Sequence, residues 1–262
     1  MKAPPAIDGV CASRLQLVPG HCASVLDTLC ARFPAISRET WKSRFERGRV
    51  LDGYGKPLHE DSLARIGAEI FYYREVADET PFPVQETVLH ADEHLIVVDK
   101  PHFLPVVPSG KYVADTLLAR LIRRFGNTDI VALHRLDRPT AGLVLFSPNS
   151  ATRSRYQSLF RDRLVSKRYE AIAPPSPGNV YPLFHRSRLE RGEPFFRMRE
   201  TSGEPKSITR IDIIERIDED AWRYALEPVT GRKHQLRVHM AALGLPIRND
   251  PLYPKRVDPA QD

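Results

Sequence analysis

The chain has 262 residues, 42% of them hydrophobic and 27% charged, which is enough apolar material for a large core and excludes a disordered chain. No apolar run approaches the length of a membrane span, and the first residues lack the apolar stretch of a secretory signal. The three cysteines, Cys11, Cys22 and Cys30, are odd in number and form no C-x-x-C pair, which argues against a disulfide framework or a zinc site and for a cytoplasmic protein. The net charge of +6 is concentrated in arginine-rich groups at 120–124, 153–168 and 186–199, a pattern suited to a polyanionic partner.

Residues 1–80 read as a separate small module. Apolar positions at helical spacing over 25–33 predict a helix that Pro34 ends. Ser37 is placed to cap a second helix, in which Trp41 and Phe45 share a face. Residues 48–58 predict a strand, a glycine turn and a second strand, and 67–73 a further strand. Residues 81–87, with Pro81 and Pro83, read as a linker.

A second domain is expected over 88–262. Strands are predicted at 88–91 and 95–98, the latter closed by Asp99-Lys100-Pro101. A helix is expected over 113–125 with Gly126 after its end, and a strand over 130–133. A helix over 150–163 is expected to turn Leu159 and Phe160 to the core. The strand at 168–172 puts Tyr169 and Ala171 on one face. A basic hairpin is expected around 191–194, an edge-like strand at 208–217 and a half-buried strand at 222–227. The stretch 230–240 turns from strand into helix. Strands without regular helix alternation predict an α+β protein with a mixed, mainly antiparallel sheet. Nucleotide-binding glycine loops and a G-x-S-x-G elbow are absent from the sequence. His234 and His239 lack a carboxylate at metal-binding spacing, so no metal is expected.

The most informative stretch is 134–146. His134, Arg135, Asp137 and Arg138 crowd charge into five residues, and an apolar strand follows. A carboxylate at the mouth of a rigid strand, among cations that keep it ionised, is well placed for chemistry.

Four pieces in fixed order resemble the RluA-type family of RNA pseudouridine synthases. They are Val97-Val98-Asp99-Lys100-Pro101, His134-Arg135-Leu136-Asp137 with Thr140-Ala141-Gly142, Lys167-Arg168-Tyr169-Glu170-Ala171, and Thr230-Gly231-Arg232-Lys233-His234-Gln235-Leu236-Arg237-Val238-His239. The front module resembles an S-four-like RNA-binding domain through Leu26-Asp27, Ser37-Arg38 and Gly48-Arg49-Val50. The resemblance implies conversion of a uridine to pseudouridine in structured RNA, ribosomal before transfer RNA, without metal or organic cofactor. Asp137 aligns with the family's nucleophile, Tyr169 with its active-site tyrosine and Arg237 with its active-site basic residue. Arg135, Lys100, Arg232, His234, Arg38 and Arg49 are the implied RNA contacts, and a monomer is expected. Two departures stand out: Asn249 replaces the family's usual glycine before Asp250, and the usual closing strand after it is not evident. The alternative is a catalytically inactive RNA-binding protein that retains the fold.

Overall fold

A computed structural model of the chain describes residues 3–18, 23–76 and 79–255. Cys22 and residues 256–262, where the question of a closing strand falls, lie outside the described residues. The chain divides into two compact units, Met1–Arg153 and Ser154–Asp262. The stretch 81–87 lies inside the first.

The first unit opens with β1 (Ser13–Gln16), α1 (Val25–Arg32) and α2 (Arg38–Glu46), then β2 (Val50–Asp52) and β3 (Glu69–Tyr72). The strands form an antiparallel sheet in the order β1-β3-β2. Both helices start where a serine side chain takes an otherwise unpaired backbone N–H: Ser24 from Asp27, Ser37 from Thr40. Their apolar faces meet the sheet in one core containing Leu26, Leu29, Trp41, Phe45 and Ile70. The first residues pack nearby. Ile7 and Ala12 join Leu51, Phe71 and Tyr73, and the Tyr73 hydroxyl donates to the Pro5 carbonyl at 2.6 Å. Gly9 passes so close to α3 (Leu117–Phe125, described below) that a Cβ there would stand 2.2 Å from the Ala119 carbonyl oxygen.

The same unit holds a second sheet, built from β4 (Thr87–Ala91), β5 (Ile96–Lys100), β6 (Val131–Ala132) and β7 (Gly142–Ser147), in the order β4-β5-β7-β6. Ile96, Val98, Val144 and Phe146 alternate onto one face and bury Leu117, Leu121 and Ile122 of α3. The helix begins four residues later than its apolar pattern suggests. The backbone N–H groups of Val113, Ala114 and Asp115 are taken by the Glu79 carboxylate at 2.8–3.0 Å, and the Thr116 side chain caps the first turn. Gly126 ends it in the left-handed conformation (φ 62°) that a side chain disfavours.

α4 (Arg153–Arg161) spans the division between the units and has no buried residue; Leu159 is 38% exposed, against the expectation that it faces the core. The second unit then forms one five-stranded antiparallel sheet from β8 (Tyr169–Ala173), β9 (Leu183–Arg191), β10 (Met198–Thr201), β11 (Ser207–Arg216) and β12 (Trp222–Pro228), in the order β10-β9-β11-β12-β8. β11 was expected at an edge because of its charges, yet it is the central strand. Arg210 satisfies itself within the sheet, reaching Glu227 on β12 at 2.9 Å and Asp212 at 2.8 Å. α5 (Gln235–Ala242) packs on the face that carries Ala171, Ile211, Trp222, Tyr224 and Leu226, and Met240 enters that core. Every strand pairing among the described residues is antiparallel.

Candidate active site

Asp137 lies in the first unit. β6 enters the turn and β7 leaves it, so the residue sits between two strands already paired to each other. The pairing continues past β6: Leu133 N–H donates to the Leu145 carbonyl, and Leu145 N–H donates to His134 Nε2 at 3.2 Å. Thr140 N–H closes a turn on the Asp137 carbonyl at 3.0 Å. His102 Nδ1 lies 2.6 Å from the Pro139 carbonyl oxygen, which ties the turn to the loop after β5.

Lys100 holds the turn from beneath. Expected among the RNA-contacting cations, it is instead fully buried, with 0% exposure, and cannot meet a phosphate. Its Nζ donates to the carbonyls of Pro101, Leu104 and Arg138 at 2.9, 2.9 and 3.3 Å. The Arg138 carbonyl belongs to the residue after Asp137, so the lysine fixes the backbone of the carboxylate's own turn. Burial pushes the ammonium down to about 8; the Asp137 charge opposes that shift and the Arg138 charge adds to it. Arg135 and Arg138 are exposed on the same turn.

Tyr169 and Arg237 lie in the second unit. Tyr169 is half-buried at the start of β8, opposite Leu226, and packs against the core beneath α5. Arg237 is 7% exposed. It makes a two-pronged pair with Asp250, Nε to Oδ2 and Nη2 to Oδ1, both at 2.7 Å, and its guanidinium lies 5.2 Å from the Tyr253 ring centre. Asp250 also accepts the Leu252 and Tyr253 backbone N–H groups. The turn that delivers it needs a left-handed residue, and Asn249 takes that conformation (φ 61°) in place of the family's glycine. His234 Nδ1 lies 2.8 Å from the Tyr253 hydroxyl, which in turn accepts Met198 N–H. Asp250 and Tyr253 were not anticipated. The available signal was that a buried arginine requires a carboxylate, and Asp250 lies in the loop that follows α5.

The start of α5 is pinned by Gln235. Its Oε1 accepts from the Thr230 hydroxyl and the Arg232 backbone, and its Nε2 donates to Ile208 O and Thr209 Oγ1 of β11. One turn on, His239 is enclosed by Ser187, Ser207 and Thr209. The Ser207 hydroxyl donates to Ser187 O, so it accepts from His239 Nε2–H; Nδ1 accepts from Thr209. Burial, with the neighbouring His185, pushes His239 down to about 3 and keeps it neutral. His185, Glu200 and His239 bring three potential metal donors within 4.8 Å of one another. The His239 nitrogens are both engaged by hydroxyls, and His185 pairs with Glu200 at 2.7 Å, so hydrogen bonding accounts for the cluster.

Of the remaining expected contacts, Arg232 is exposed at the entrance to α5. Arg38 pairs with Asp27 at 2.7 Å, and Arg49 pairs with Glu75 at 3.1 Å. No helix among the described residues is long and apolar enough to cross a membrane.

A buried-arginine helix on one sheet and a charged carboxylate turn on another invite comparison with known proteins. A family model described as RNA pseudouridylate synthase matches residues 94–242, which includes Lys100, Asp137, Tyr169 and Arg237. The chain belongs to the RNA pseudouridine synthases, in the RluA-type branch. It is 31% identical to an uncharacterized RNA pseudouridine synthase of Synechocystis, over 87% of this chain and 79% of that one. It is 34% identical to the dual-specificity RNA pseudouridine synthase RluA of Haemophilus influenzae, over 63% of this chain and 76% of that one. Among solved structures, human RNA pseudouridylate synthase domain containing 1 aligns with a TM-score of 0.53 at 25% identity, covering 66% of this chain and 71% of that one. Human RNA pseudouridylate synthase domain containing 4 aligns with a TM-score of 0.50 at 26% identity, covering 65% and 72%. The protein is an enzyme that isomerises uridine in RNA.

Proposed function

We propose that Asp137 is the nucleophile of this isomerisation and that the substrate is ribosomal rather than transfer RNA. The supporting observation is the Asp137 turn: a carboxylate fixed through its backbone by a buried ammonium, flanked by two exposed arginines. The carboxylate attacks the target nucleoside, the N1–C1′ bond breaks, the base rotates, and a C5–C1′ bond forms. Asp137 serves whichever carbon is attacked, because both routes need an ionised carboxylate. Arg237 is the basic residue of the site in this reading. Tyr169 offers a ring to the uracil and a hydroxyl near its reacting edge. The uridine leaves its stack to react, and Arg135 fills the space behind it.

Arg38 and Arg49 in the front module, and separately Arg232 and His234 in the second unit, contact RNA in this reading, and the protein works as a cytoplasmic monomer. Capping by Ser37 and the packing of two helices on a short sheet support an S-four-like reading of that module. Preference for ribosomal RNA rests on the presence of the module. The test is tritium release from RNA labelled at uracil C5. Wild type releases tritium, and Asp137→Asn does not while keeping the wild-type Tm. Undiminished release from that variant removes Asp137 from the role. Comparing ribosomal with transfer RNA transcripts in the same assay decides the substrate.

A further inference from the structure

Beside the Asp137 turn stands a group of side chains that the isomerisation chemistry leaves unused. Phe103, in the loop after β5, has φ 68°, a left-handed conformation that is a genuine outlier for a bulky residue. It is also 49% exposed, so no core packing repays the strain. The Arg138 guanidinium lies 5.6 Å from the Phe103 ring centre and 5.2 Å from that of Tyr112. Tyr112 is held by a short hairpin, in which Ser109 and Tyr112 exchange backbone hydrogen bonds at 2.8 and 3.1 Å, and Lys111 Nζ lies 5.5 Å from its ring centre. His102 ties the loop to the carbonyl of Pro139, two residues beyond Asp137. One loop and the Asp137 turn thus bring together two aromatic rings, a guanidinium within 5.6 Å of both ring centres and an ammonium.

We propose that Phe103, Arg138 and Tyr112 form a stacking platform for an unpaired nucleobase adjacent to the target uridine, with Lys111 meeting its phosphate. The proposal rests on RNA as the substrate and adds a site that selects which uridines are reached. Unstacked bases in RNA loops are bound on aromatic rings and arginine planes, because every base offers a π-face. A strained, exposed phenylalanine fits that use. Its conformation turns the ring toward solvent and Arg138, where a folded-state packing role would turn it inward. Arg138 is already oriented by the rings, so it presents a flat surface to a base without first losing side-chain freedom.

The experiment measures tritium release from a C5-labelled RNA hairpin with uridines in its loop, for wild type, Phe103→Gly, Phe103→Leu and Phe103→Trp, with the Tm of each. A stacking site predicts that Phe103→Gly and Phe103→Leu lose about ten-fold or more in kcat/KM, mainly through KM, while Phe103→Trp stays near wild type. The Tm of Phe103→Gly stays within about 2 °C of wild type, because glycine removes the strain along with the ring. Rescue by leucine, or unchanged kinetics in the glycine variant, overturns the proposal. Binding of the same hairpin, fluorescein-labelled, gives a readout independent of turnover. The Phe103→Leu loss is equal at low and high salt, whereas the Lys111→Gln loss shrinks as salt rises. If wild type releases no tritium, the isomerase reading of this chain fails on its own, and unchanged hairpin affinity in Phe103→Leu still overturns the platform.

Discussion

Asp137 and Arg237 are held in opposite ways. Asp137 sits on a turn whose main chain is gripped: Lys100 takes the Arg138 carbonyl, His102 the Pro139 carbonyl, and Thr140 closes on Asp137 itself. Arg237 is gripped by its side chain, clamped by both oxygens of Asp250 and faced by Tyr253. Holding the backbone fixes where the turn stands in the sheet. Holding the guanidinium fixes its plane and keeps a buried charge compensated. Disruption should therefore act differently on the two sides: chemistry fails first at the turn, and folding fails first at the helix.

The largest expected effect is on rate alone. Asp137→Asn is expected to lower tritium release by about 10⁴-fold or more with no loss of stability, as removal of the proposed nucleophile should; urea denaturation alongside the assay checks both halves. The sharpest contrast comes from Asp250→Ala. Stranding Arg237 without its carboxylate is expected to cost about 3–5 kcal/mol of stability, read in urea denaturation. Asp250→Glu, which keeps the charge, should recover part of it. If Asp250→Ala abolishes activity at unchanged stability, the distinction between the two sides collapses.

Lys100→Met removes the grip under the turn and leaves three carbonyls without their donor. It is expected to cost about 1–3 kcal/mol at neutral pH. The pH dependence has a definite sign. The ammonium is lowered to about 8 in the folded protein from an ordinary 10.5, so between those values the unfolded chain binds more protons. Wild type should then gain up to about 3 kcal/mol relative to Lys100→Met as pH rises from about 8 to 10.5. A flat difference across that window means the lysine is not buried as described. The smallest effect lies away from both sides: Ser37→Ala should cost about 1 kcal/mol through the lost cap of α2. Thermal unfolding reads it, and tritium release should stay unchanged.

The two sides also differ in how far the sequence announces them. The Asp137 turn is local, so its charges, its proline and the apolar strand behind it are visible in one stretch. The caps of α2 and α3, Ser37 and Gly126, are equally local and were expected where they stand. What escaped depends on distant partners. β11 carries charges that suggested an edge, and only the register with β12 reveals that Glu227 neutralises Arg210. Lys100 resembles a surface cation until the carbonyls of Leu104 and Arg138 close on it. The start of α3 is delayed by Glu79, more than thirty residues earlier. The backbone of Phe103 has no signature in its neighbours.

Glu79 also has a consequence for the stretch that follows it. Its carboxylate fills a cup of three backbone N–H groups at 113–115, the kind of concavity that otherwise captures a phosphate. A few residues on, the Arg120 guanidinium collects Phe82 O, Val84 O, Asp115 and Glu86. The proline-rich segment is thus tied through Glu79 to the residues just before α3 and through Phe82, Val84 and Glu86 to α3 itself. It behaves as a splint between the front module and the sheet bearing Asp137, with the protein's own acid occupying the anchoring cup.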